Sequence, residues 1–158
     1  MAMGIGTLRL PVMPDALLRP LLNSLTVMSL ELRASLTEAH GKPTDARSLF
    51  SKAAQAEIGL GYHEPPASIR PVGETEAASM MAIGRWTDAI AAYERALHER
   101  PQSGFALYGI ALCRENAVET DSAVKAYDDF LAVWKDADST LPQKSHAREF
   151  VGAHPAGR

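Results

Sequence analysis

The sequence predicts an all-α fold, a stack of antiparallel helical hairpins, and three observations carry that prediction. Ala and Leu together number 43 of the 158 residues against 13 for Val and Ile. Strong helix formers therefore outnumber the residues that suit a pleated sheet. Proline, which interrupts helix interiors, leaves free blocks from Pro20 to Pro43, Pro43 to Pro65, Pro71 to Pro101 and Pro101 to Pro142, each long enough for one or two helices. Ala89, Tyr93 and Leu97 return 34 residues later as Ala123, Tyr127 and Leu131, a period typical of stacked helical repeats.

The elements follow in order. Leu22, Leu25, Met28, Leu32 and Leu36 step by three or four residues, which lays one apolar stripe along a buried helix ending near Gly41. Thr44 or Asp45 is expected to cap a second helix that runs to about Leu60, with Leu49, Phe50, Ala53, Ala54 and Ile58 on its inner side. The stretch from Gly61 to Pro71 is rich in turn formers and reads as a connecting loop. Helices are expected at Gly73–Ile83, Thr87–Arg100, Gly104–Asn116 and Thr120–Ala137, with a turn at Gly84-Arg85 and a short closing helix over Gln143–Val151. The chain thus divides into an N-terminal extension (1–14), a helical domain (15–137), and a short helix with a frayed tail (138–158).

Composition narrows the function. A net charge of −3 lacks the basic excess of a nucleic-acid binder and favours no anionic membrane surface. The apolar stretch Leu17–Leu32 is broken by Arg19, Pro20, Asn23 and Glu31 before it could span a bilayer. With no basic segment ahead of an apolar run at the N-terminus, the expected location is cytoplasmic. Cys113 is the single cysteine, so no internal disulfide forms, and it reads as a packed thiol. The five His residues are scattered, and neither a metal nor a cofactor is expected. His63 beside Glu64 reads as a surface turn, Asp128 and Asp129 as a solvated face. Trp86, Trp134, Tyr93, Tyr108 and Tyr127 read as packing residues.

The segment GRWTDAIAAYERALHERPQS, Gly84 to Ser103, resembles the second helix and exit turn of a tetratricopeptide repeat. Gly84, Ala89, Tyr93, Ala96 and Pro101 stand at signature positions. A small residue lets two helices approach, and the aromatic one turn later fills the gap to the next hairpin. Ala46, Phe50 and Ala53 place a similar pattern on an earlier helix. The resemblance covers about residues 25–137 as three hairpins in a right-handed superhelix. It departs from the family in three places: the first two repeats are 43 residues apart, Val118 stands for Gly, and Lys135 stands for Pro. The last helix is therefore expected to run on through Trp134.

The resemblance implies a non-enzymatic scaffold that holds a peptide or helix in a concave groove over one continuous core. The alternative reading is a homodimer or assembly module contacting through the helix at Leu17–Leu36, and the short array also resembles the end of a longer repeat protein. The family's groove positions fall on Glu31, Ser35 and Glu38, then Glu74, Ala78 and Met81, then Phe105, Tyr108, Leu112, Glu115 and Asn116. That set holds four Glu and no Lys or Arg, which implies a basic and apolar partner protein anchored on Phe105 and Tyr108.

Overall fold

The computed structural model describes residues 15–61 and 70–155. Among these, seven helices and no strand occur: α1 (Asp15–Ala39), α2 (Pro43–Ile58), α3 (Val72–Ala82), α4 (Trp86–Glu99), α5 (Gly104–Asn116), α6 (Thr120–Val133) and α7 (Pro142–Ala153). The expected N-terminal extension, most of the expected loop with His63 and Glu64, and the last three residues of the tail lie outside the described residues.

Helices α1 and α2, α3 and α4, and α5 and α6 pair as hairpins, while α1, α3 and α5 also touch in succession. The first helices of the hairpins thus share one face of a superhelical stack, and α7 packs on α6. The repeat positions explain the pairing. Ala46, Ala89 and Ala123 are fully buried, as are Phe50 and Tyr127, with Tyr93 nearly so. Alanine at the crossing brings two backbones together, and the ring a turn later reaches the adjacent helix.

Three hydrophobic clusters form, one between α1, α2 and Val72, one between α3, α4 and α5, and one between α5, α6 and α7. The expectation of one continuous core is corrected accordingly. Each repeat packs only on its neighbours, so burial is distributed along the stack.

Each hairpin turns in the same way. Lys42 N–H donates to Thr37 O, Arg85 N–H to Met80 O and Glu119 N–H to Arg114 O, at 3.1, 3.0 and 2.9 Å. The residue before each donor has positive φ: Gly41 at 73°, Gly84 at 76° and Val118 at 61°. This is the Schellman closure of a helix end, which favours glycine. Val118 is the strained member, since a β-branched side chain crowds the backbone there. Its side chain is 84% exposed and anchors nothing. Val118→Gly is therefore expected to stabilise the fold by about 1 kcal/mol, the αL penalty less the added chain entropy, read as a melting temperature a few degrees higher.

Four expectations about the elements need correction. The stripe Leu22, Leu25, Met28, Leu32 and Leu36 faces solvent, each residue being 50–62% exposed, and α1 buries Val27 and Ala34 instead. Val27, Leu30 and Ala34 of α1 pack in one cluster with Phe50 and Ala53 of α2, so α2 covers the face opposite the leucine stripe. Ile58 is exposed rather than inward. Helix α2 begins at Pro43, whose fixed φ suits a first helical position, and not behind a capping Thr44 or Asp45. Helix α6 stops at Val133 instead of running on to Ala137. There the buried Lys144 Nζ donates to the carbonyls of Lys135 and Ala137 at 3.1 and 2.6 Å, satisfying backbone groups beyond the helix end.

Candidate functional site

A cavity of about 1100 Å³ opens between α3 and α5 on the face shared by the first helices. Glu74, Ala78 and Met81, spaced four and three apart, form its α3 wall, and Phe105, Tyr108 and Leu112, spaced three and four apart, form its α5 wall. Six of the eleven groove positions thus meet around one space. The turn from Arg100 to Gly104 closes one end, and Tyr93 of α4 lies beneath.

The floor is set by glycines. Gly109 passes so close to Tyr93 that a β-carbon there would lie 2.3 Å from the ring, so the absence of a side chain on α5 seats the tyrosine. The Tyr93 hydroxyl donates to Met81 Sδ at 3.4 Å. Burial pushes its ionisation up to about 12, so it stays neutral at physiological pH. Gly104 lies under the Trp134 indole, which meets the Phe105 ring edge-on at 5.2 Å. This packing turns Trp134 into the cavity wall.

The acidic residues are largely occupied. Glu38 is withdrawn from the groove: its side chain is 1% exposed, and its Oε1 takes a hydrogen bond at 3.0 Å from Arg85, itself held on Asp88 at 2.7 Å. Buried Glu74 accepts from Ser103 Oγ at 2.6 Å, and the same Oγ caps α5 by accepting from Ala106 N–H. Glu115 accepts from the Tyr127 hydroxyl and lies 3.3 Å from His146 Nε2. Asn116 is exposed and donates to Leu112 O at 2.8 Å, while Glu31 and Ser35 sit half-buried on α1, away from the cavity. Meanwhile Arg70 and Arg100 line the cavity. The absence of cations on which the basic-partner reading rested does not hold at this site.

Tyr108 divides its surface between two roles. One part lines the cavity; the rest packs on Tyr127 and Phe130 at ring distances of 5.9 and 5.4 Å, and its hydroxyl shares a 2.8 Å hydrogen bond with His146 Nδ1. Helix α7 therefore fixes the ring that α5 presents. Cys113 is fully buried and its thiol is pushed up to about 11 by desolvation, so it is protonated and shielded.

Sequence reasoning missed Arg70, Tyr93, Arg100, Ser103 and Trp134 as lining residues. Tyr93 was legible only as a core residue because the repeat pattern puts it at a packing position. Ser103 carried a usable signal, a capping residue immediately before Gly104 at a helix start.

Among the described residues no three His, Cys, Asp or Glu side chains converge as a metal site would require, and no helix is long and apolar enough to cross a membrane. No curated protein and no solved structure matches the chain. Residues 76–142 match the family model for the tetratricopeptide repeat, a span from the first turns of α3 to the first residue of α7. That span contains the recurring Ala and Tyr pairs and two of the three hairpin turns, so residues 76–142 are a tetratricopeptide-repeat region set within the all-helical stack.

Proposed function

We propose that this protein is a binding scaffold that seats an extended or helical segment of another protein in the cavity between α3 and α5. Tetratricopeptide repeats generally mediate protein–protein interaction. The observation that carries the reading is the convergence of Met81, Phe105, Tyr108 and Leu112 on one open space, with Phe105 57% exposed although its neighbours are packed. A large ring held by Trp134 and left half in water is the kind of residue that anchors a partner. The space exceeds that of an ordinary small-molecule pocket and has room for more than one large side chain.

The partner's apolar character follows from these walls. Its basic character loses support, because Glu38, Glu74 and Glu115 are engaged within the chain. Apolar anchors therefore set affinity in this reading.

Selection from a displayed random-peptide library provides the test, followed by fluorescence anisotropy on the enriched peptides. Enriched sequences are expected to carry bulky apolar residues. Ala78 is exposed on the α3 wall, so Ala78→Arg obstructs the space without disturbing the core and should weaken binding at least tenfold, about 1.4 kcal/mol. Phe105→Ala should do the same, whereas Asp128→Arg, on an exposed position of α6, should not. Peptides that bind Ala78→Arg and Phe105→Ala as tightly as the parent would overturn the proposal.

A further inference from the structure

The solvent face of α1 is the feature that the groove does not use. Leu22, Leu25, Met28, Leu32 and Leu36 continue toward the N-terminus into Leu18 and Leu21, also exposed. At 100° per residue these side chains fill one stripe opposite buried Val27 and Ala34, so α1 is apolar on both faces. Together they leave on the order of 600 Å² of apolar surface in water, at the upper limit for a monomer. No Asp, Glu, Lys or Arg lies within the stripe; Arg33 flanks it.

We propose that a second copy of this chain covers the stripe, with two α1 helices packed antiparallel about a two-fold axis near residue 27. Three features point to a copy of the same helix. Leu18, Leu25 and Leu32 recur every seven residues, with Leu21 and Met28 three places after the first two, which is the seam of a helix that packs against another helix. The stripe is also self-complementary, as a two-fold interface requires. Reversing the helix about residue 27 lays Leu18 over Leu36 of the second copy and Leu22 over its Leu32, with Leu25 and Met28 filling the centre. Finally, the pair buries about 1,200 Å², which reaches the lower bound of stable specific interfaces. The cavity between α3 and α5 is built from other helices, so the inference stands apart from the proposed peptide binding.

The test is the mass in solution by light scattering after size exclusion, at roughly 50 μM, above the micromolar dissociation constants of small interfaces. The full chain is expected at twice its 17.0 kDa. Leu25→Glu/Leu32→Glu, at positions exposed in the single chain, should run at the monomer mass with an unchanged helical circular dichroism spectrum. Orientation is read by cross-linking, since the native Cys113 is buried. Leu22→Cys/Leu32→Cys should oxidise to a covalent dimer, because the two positions lie about 15 Å apart within one helix but opposite each other between copies. Leu22→Cys alone should not. A monomeric parent, or a dimer that survives the two glutamates, overturns the proposal. Cross-linking of Leu22→Cys alone as readily as of the double variant overturns the antiparallel arrangement.

Discussion

Arg85→Met is expected to destabilise the protein by about 2–3 kcal/mol and to lower its melting temperature by roughly 5–10 °C. Arg85 immediately precedes α4 and reaches back across the stack to α1, where it is the partner of Glu38 Oε1 at 3.0 Å. The second oxygen of that carboxylate is buried without a hydrogen-bond partner among the described residues. Removing the guanidinium leaves a carboxylate that burial has separated from water and that has no other ion-pair partner among the described residues. The cost falls at or below the bottom of the range of ~3–5 kcal/mol for broken buried pairs because the Arg85 side chain is 28% exposed, so water reaches this end of the pair. Urea unfolding of Arg85→Met alongside Arg85→Met/Glu38→Gln checks the cause: the second variant should recover part of the loss. Equal midpoints for both variants would show that the charge of Glu38 is not what Arg85 neutralises.

Gly109→Val is expected to cost about 3 kcal/mol, the upper part of the range for overpacking. Even the first added carbon would meet the Tyr93 ring at 2.3 Å, and that ring is packed in a buried cluster with Ala92, Ala96 and Ala106. The ring also lines the cavity, so displacing it reshapes that space. The variant should therefore melt roughly 6–12 °C lower and also lose affinity for peptides selected on the parent. Gly109→Ala should fall between the parent and Gly109→Val in stability, since better helix propensity offsets part of the clash. A thermal melt of Gly109→Val that superimposes on the parent would contradict this seating of Tyr93.

What could be read from local sequence was whatever depends on neighbours along the chain. Ala89 with Tyr93 and Ala123 with Tyr127 announced hairpin crossings 34 residues apart, because those residues are selected by helix geometry repeated at short range. The turn at Gly84 was legible for the same reason, and so was the set of α3 and α5 positions that share a face.

The side on which α1 is covered was decided by tertiary structure. Periodicity identifies an apolar stripe but not whether it is the one buried, and α1 has two; packing against Phe50 and Ala53 covers the face with Val27, Leu30 and Ala34 and leaves Leu22, Leu25, Leu32 and Leu36 in water. The charge pattern failed likewise. Glu38 and Arg85 are 47 residues apart in sequence, and only the stacking of α1 against the α3–α4 hairpin brings them to 3.0 Å. Sequence by itself thus determined the repeating unit, whose causes lie within a few helical turns. Tertiary structure decided which surfaces and charges remain available to a partner, because those depend on contacts between residues that no local pattern joins.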